Sequence, residues 1–466
     1  MRRLLLPLLL LAAAPGTLQE RVAADLAQAS PGTRFGIVVA AEDGTEIVAL
    51  LPDQRFVPAS NTKLFTTAAL FASGLGLDAP DAAGGASVRL EGHDVVLTGH
   101  GDARLSSAAD CVRDCLAMLA DAVAARTQAV RDVIGDDSWF PDERWSPGMS
   151  WNNIPTPSGT GISALTIDEN ELALTVTPAA PGQVPAVAGN GYYRIQNRAV
   201  TGGATALGYD RTPGSDVVRV TGTIATGAPP KMLSLGVDDP ARYAAWQLAA
   251  LLRARGVRVT GSVGVRHRPL DAGDDPARRG FAPVAHPPEP PVLARLAAPP
   301  LLDTATVTNK VSQNVYAELI LRRLGRLQGT GSIADGQAAV TAMLTAAGVP
   351  RTAYDLADGS GMSSYNRVSP RGVVRFLRWA AAQPWGARWR ATLPTSGEGT
   401  LRRRFRDGPP IQAKTGTLNA TNALAGYMTA ASGRRLVFAA YAGDVPGDAG
   451  ATAAMDAALV RIAAAN

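Results

Sequence analysis

Apolar and polar positions along this chain fall into two regimes. Near its start, Arg34–Ala41 and 45–50 are almost continuous apolar runs on either side of Glu42-Asp43-Gly44, the pattern of two strands joined by an Asp-Gly turn. Residues 18–29 before them carry the spacing of a short amphipathic helix. From Lys63 onward, apolar and small residues continue with no glycine or proline until Gly74, about three helical turns. Helical periodicity returns late in the chain, over 304–324, 333–347 and 370–382. Strand-like runs then follow at 411–417, 423–429 and 435–442, and a helix at 449–465 closes the chain. Between roughly 73 and 288 the character differs. Short alternating runs (87–90, 94–98, 128–134, 164–167, 171–176, 192–197 and 216–224) sit among glycine and proline turns, with helices expected at 108–126 and 240–255. A proline-rich joint, Pro287-Pro288-Glu289-Pro290-Pro291, ends that region.

These two regimes divide the chain into 20–75, a middle region at 76–285 with the mixed content of two small domains, and 286–466. At 466 residues the chain is long enough for that many cores. Arg2 and Arg3 precede Leu4–Leu11 and three alanines, the layout of a secretory signal peptide over 1–19. The apolar run is too short to span a bilayer, and no other long one exists, so the mature chain is expected outside the cytoplasm without a transmembrane segment. The formal charge of +5 is mild, and the Arg402-Arg403-Arg404 run reads as a solvated surface, so nucleic acid is not an expected partner. Cys111 and Cys115 are the only cysteines and form a candidate disulfide. Their i, i+4 spacing calls for a distorted or terminal turn if the stretch is helical, and no histidine lies beside them to suggest zinc. The four histidines all fall between 93 and 286, with no Ser/His/Asp arrangement.

Candidate chemistry begins at Ser60-Asn61-Thr62-Lys63. A serine hydroxyl needs an adjacent base to become a nucleophile, and a lysine amine serves as that base when burial or a neighbouring cation lowers its pKa. Three residues apart at a helix start, the two side chains share a face, and the helix N-terminus favours a developing oxyanion. Alone the pattern is weak, because an N-cap serine followed by an exposed lysine looks the same. Ser312-Gln313-Asn314 adds a second hydroxyl and an amide, suited to relaying a proton and binding a peptide carbonyl. Lys414-Thr415-Gly416, on an expected strand, adds a cation and a hydroxyl for a carboxylate and a glycine for close backbone approach. The ordered set Ser-x-x-Lys, Ser-x-Asn, Lys-Thr-Gly is far more specific than any one member.

With these residues the chain resembles the penicillin-recognising serine enzymes. Within them it is most similar to the D-alanyl-D-alanine carboxypeptidase/endopeptidase family, the class C low-molecular-mass penicillin-binding proteins (peptidase family S13). Pro58–Lys63, Ser312–Glu318, Asp358–Gly361, Asn366–Pro370 and Lys414–Leu418 carry the resemblance, together with the 252 residues separating Ser60 from Ser312. Gln313 departs from it, since aspartate is the commoner residue there; its side chain is expected to point away from the reacting centre.

The resemblance implies an α+β fold: an antiparallel sheet flanked by helices, the serine transpeptidase/β-lactamase-like domain, split by a large mixed α/β insertion. It further implies Ser60 as nucleophile, Lys63 as base and Ser312 as proton relay. Asn314, Lys414, Thr415, Gly416 and Thr417 would bind substrate, with the N–H groups of Ser60 and Thr417 as an oxyanion hole. Neither a metal nor an organic cofactor is implied. The implied partners are peptidoglycan stem peptides as substrate and β-lactams as covalent inhibitors, and the implied place is the bacterial periplasm. Two other readings share the motifs: a serine β-lactamase, for which no Glu-x-x-Leu-Asn stretch stands between Asn314 and Lys414, and a wall-binding protein without turnover.

Overall fold

The computed structural model describes residues 16–447 and 449–466. Ten α-helices lie among them: α1 (Leu18–Leu26), α2 (Thr62–Ala72), α3 (Leu116–Ala124), α4 (Pro240–Ala254), α5 (Leu301–Lys310), α6 (Asn314–Arg326), α7 (Ile333–Ala346), α8 (Pro370–Ala381), α9 (Gly386–Ala391) and α10 (Thr452–Ala464). The expected leader lies outside the described residues except for its last few, of which Thr17 caps α1 through the Glu20 N–H.

A five-stranded antiparallel sheet joins the two ends of the chain in the order Ile411–Leu418, Thr421–Thr429, Arg435–Gly443, Arg34–Ala41, Glu46–Leu50. Arg34 pairs with Gly443 and Ala41 with Leu436. Successive side chains in a strand point to opposite faces, and here both faces are covered. Val38, Ala40, Val437, Ala439 and Tyr441 pack with α2, α6, α7 and α8. Ile37, Val39, Leu436, Phe438 and Ala440 pack with α1 and α10. That double burial is why these strands read as unbroken apolar runs. At about 1.5–3 kcal/mol for each fully buried large apolar side chain, the two clusters hold the sheet rigidly behind the site. On the second face α1 and α10 lie side by side, with Asp25 taking both Nε and Nη2 of Arg461.

Residues between α2 and α5 build other sheets. One is mixed, in the order Val263–Arg268, Val133–Pro141, Asp94–Thr98, Ser87–Glu91, Ala294–Arg295. Further strands, among them Glu171–Thr177, Lys231–Gly236 and Val217–Ile224, form smaller sheets. A single apolar cluster runs through all of them, from Leu97 and Leu116 to Leu172, Val218 and Leu248. A smaller cluster joins this region to α6: Ala103, Phe140 and Ala164 pack on Val315, Tyr316 and Leu319.

The structure corrects three local expectations. The helix expected over 304–324 is two helices, because Ser312 takes a left-handed backbone (φ 69°) between α5 and α6. The helix expected over 108–126 begins only at Leu116. Cys111 and Cys115 are bonded in the turn before it, with their Cα atoms 5.7 Å apart. Residues 164–167 form no strand; Leu165 makes one isolated bridge to Asp102.

Candidate active site

Ser60 lies in a short 3-10 turn, Ala59–Asn61, that leads into α2. Ala59 precedes it with a left-handed backbone (φ 47°). Gly361 packs against this turn, where a Cβ would stand 1.9 Å from the Ala59 carbonyl oxygen, so only glycine fits. One residue into α2 the chain buries Lys63 completely. Its Nζ is 2.9 Å from Ser60 Oγ, 2.6 Å from Asn314 Oδ1 and 2.6 Å from the Ser360 carbonyl oxygen.

Burial lowers the Lys63 pKa to about 7, against the opposing pull of Asp358 and Glu318. The partner set matters for chemistry. A neutral amine has two N–H donors and one lone pair. Asn314 Oδ1 and Ser360 O accept only, so they take both donors and leave the lone pair for the Ser60 hydroxyl. The arrangement is a general base already aimed at its nucleophile.

Opposite stands a second hydroxyl–amine pair. Lys414, in the edge strand Ile411–Leu418, is also fully buried, and its Nζ lies 2.9 Å from Ser312 Oγ and 3.0 Å from Thr415 O. Burial and the nearby Lys63 charge push its pKa well down. The left-handed turn at Ser312 is what swings that hydroxyl off the helix axis toward the strand. Asn61 ties the two halves together, its Nδ2 donating to the Lys414 carbonyl at 2.7 Å.

Of the residues singled out in the sequence, Ser60, Lys63 and Asn314 form one hydrogen-bonded group, and Ser312, Lys414 and Thr415 another. No hydrogen bond joins Ser312 to Lys63 among the described residues. Gly416 lies opposite Ala423 in the strand pairing and faces the chain itself: a Cβ there would stand 2.6 Å from the Pro58 carbonyl oxygen, so the glycine lets the strand close on the Ser60 turn. Thr417 is exposed beside it.

Sequence reasoning missed several supporting groups. Glu318, buried on α6, accepts the N–H groups of Gly359 and Ser360, which aims the Ser360 carbonyl at Lys63. Burial and the nearby Asp358 raise its pKa to about 7. Asp358 accepts from the Gly361 and Ser363 N–H groups and from Asn366 Nδ2, which fixes the loop holding Gly361. These residues stood in the stretches that carried the resemblance, but nothing in their spacing indicated what they touch. The inserted region contributes too. Ser158 O accepts from Asn314 Nδ2 at 2.9 Å, and Glu169 meets Gln313 and Tyr316. No sequence signal pointed to either.

The fold around this site is that of a penicillin-binding protein. The crystal structure of penicillin binding protein 4 (dacB) from Haemophilus influenzae superposes with a TM-score of 0.76 at 21% identity, covering 95% of this chain and 97% of that one. The same protein has been solved complexed with a β-lactam, with a TM-score of 0.71 to this chain. The family model described as the D-Ala-D-Ala carboxypeptidase 3 (S13) family matches residues 18–466, and the chain belongs to that family. Among its relatives, a D-alanyl-D-alanine carboxypeptidase from Actinomadura sp. (strain R39) is 33% identical over 98% of this chain and 88% of its own length. D-alanyl-D-alanine carboxypeptidase DacB from Haemophilus influenzae is 27% identical over 66% of this chain and 64% of its own.

Proposed function

We infer that this chain is a penicillin-binding, serine-type D-Ala-D-Ala carboxypeptidase that acts through an acyl-enzyme on Ser60. The observation that carries the mechanism is the 2.9 Å approach of Ser60 Oγ to a fully buried Lys63 amine whose other two partners are carbonyl oxygens. In the proposed reaction Ser60 attacks the carbonyl between two terminal D-alanines while its proton passes to Lys63. Negative charge on the carbonyl oxygen is held by the Ser60 and Thr417 N–H groups. Collapse breaks the C–N bond, and the departing D-alanine takes the proton that Lys63 gained, relayed through Ser312, which leaves Lys63 neutral again. Asn314 holds the substrate amide. Lys414, Thr415 and Thr417 hold the terminal carboxylate, whose negative charge supplies the counter-charge that favours the protonated form of the buried Lys414. Water then hydrolyses the ester, with Lys63 taking its proton and returning it to Ser60 Oγ as the acyl–oxygen bond breaks.

A β-lactam presents a strained amide to the same nucleophile but keeps its leaving group attached, which favours a long-lived adduct. The proposed substrate is the stem peptide of peptidoglycan, and cross-link cleavage would use the same chemistry. A wall substrate is consistent with an enzyme outside the cytoplasm, and the proposed location is the bacterial periplasm. We take 20–75 with 286–466 as the catalytic domain and 76–285 as the insertion. Among the described residues no helix is long and apolar enough to cross a membrane.

Mass spectrometry after exposure to penicillin tests the assignment. An adduct of one penicillin on the peptide containing Ser60, lost in Ser60→Ala, is expected, together with release of D-alanine from a D-Ala-D-Ala peptide. An adduct elsewhere, or D-alanine release by Ser60→Ala, would overturn it. Fast turnover of nitrocefin would assign a β-lactamase instead.

A further inference from the structure

Besides the Ser158 carbonyl on Asn314, the inserted region sends a charged side chain to the segment that bears Ser312 and Asn314. Glu169 is the middle of three consecutive residues with left-handed backbones, Asp168 (φ 49°), Glu169 (φ 55°) and Asn170 (φ 56°). None is glycine, so the run is strained and persists only if its surroundings dictate it. They do so on both sides. The Asp168 carboxylate accepts from the Ser107 N–H at 2.8 Å and from the Ser106 and Ser107 hydroxyls at 3.2 and 2.6 Å. The buried Asn170 amide donates to the Gly161 carbonyl at 2.8 Å and accepts from the Ile167 N–H at 3.1 Å.

What this bracing projects is the Glu169 carboxylate. Its Oε2 accepts from Gln313 Nε2 at 2.7 Å and its Oε1 from the Tyr316 hydroxyl at 2.8 Å. No lysine or arginine pairs with it among the described residues. Gln313 lies between Ser312, whose left-handed backbone sends its hydroxyl to Lys414, and Asn314, whose amide meets Lys63. The other end of the Gln313 amide caps α6 by accepting the Val315 N–H at 3.2 Å. The clamp thus closes on the one short segment that supplies a group to each buried lysine.

We propose that Glu169 is a positioning residue of the active site: held in a strained turn of the insertion, it fixes the Ser312–Asn314 segment through Gln313 and Tyr316. On this view the insertion completes the site from outside the catalytic domain. The proposal rests on the acyl-enzyme reading above, and both are read in one experiment.

Gln313→Asp isolates the contact. Aspartate keeps an oxygen able to cap Val315 but sets a carboxylate against Glu169. Adding Glu169→Gln restores a donor–acceptor pair with the roles exchanged. Acylation of the full chain by a fluorescent penicillin and hydrolysis of a D-Ala-D-Ala peptide are followed for both variants. Gln313→Asp is expected to slow acylation by about tenfold, with kcat falling more than KM rises, because misplaced reacting groups cost rate rather than binding. The double variant is expected to recover to within about threefold of the parent, a coupling that a purely structural role would not produce. Gln313→Asp at the parental rate, or a double variant no faster than the single, would overturn the proposal.

If Gln313→Asp fails to fold, Tyr316→Phe and Glu169→Ala form a second cycle that adds no charge. Non-additive slowing supports the clamp, and strictly additive or absent slowing sinks it. An unlabelled parent protein would instead sink the acyl-enzyme reading itself.

Discussion

The two motif lysines of the catalytic region and the cations of the insertion are held in opposite ways. In the insertion each buried cation has a carboxylate beside it. Arg211 meets Asp238, Arg89 meets Asp136 and Glu91, and the partly buried His267 sits between Asp137 and Asp239. In the catalytic region Lys63 and Lys414 are fully buried with no salt bridge, and their partners are hydroxyls, an amide and carbonyls. Burying a charge without a counter-charge is costly and moves the pKa instead. Pairing therefore marks the insertion's ions as structural, and its absence marks the two lysines as chemical.

The sharpest break between the regions is expected from Lys63→Ala. Penicillin labelling should slow by about 10³-fold, the scale of a lost general base, as read by rapid-quench acylation. Removing any paired insertion cation should leave labelling within a few-fold. Next comes the insertion's own core. Leu248 on α4 is fully buried in the insertion's cluster, and Leu248→Ala should cost about 2–5 kcal/mol of stability by denaturant unfolding, with the rate of labelling largely retained below the transition.

Alkali should separate the regions without mutation. Lys63 must be neutral to act, so acylation should rise with pH through about 7. His267 behaves oppositely. Hydrogen bonds to Asp137 and Asp239 raise its pKa from 6.5 to about 10. Its contribution to stability is therefore complete below 6.5 and is lost as pH climbs through about 10. His267→Asn should flatten that alkaline slope in melting curves while the acylation profile stays in place. The smallest effect expected is from Cys111→Ser with Cys115→Ser, which opens a very short loop and should cost about 2 kcal/mol by thermal melting, leaving acylation unchanged.

The same division explains what was legible in the chain. Strands such as Arg435–Gly443 are buried on both faces, so composition alone identifies them. The three motifs were legible because the chemistry demands particular side chains at fixed spacing. The break at Ser312 was not, because the apolar period of 304–324 runs through it and no glycine or proline marks it. The start of α3 was misjudged for a related reason: the disulfide, and not periodicity, shapes the turn at Cys111–Cys115. Glu169 was invisible because a glutamate is not a residue type expected in a left-handed turn, and because its partners lie 144 and 147 residues away. Long-range hydrogen bonds leave no periodic trace.

The pairing of α1 with α10 has a practical corollary. Both helices cover the sheet face turned away from α2, so Asn466 emerges on the far side from Ser60. A purification tag or surface-coupling handle fused after Asn466 would leave the mouth of the site open. The immobilised enzyme should then react with soluble penicillin as readily as the free one.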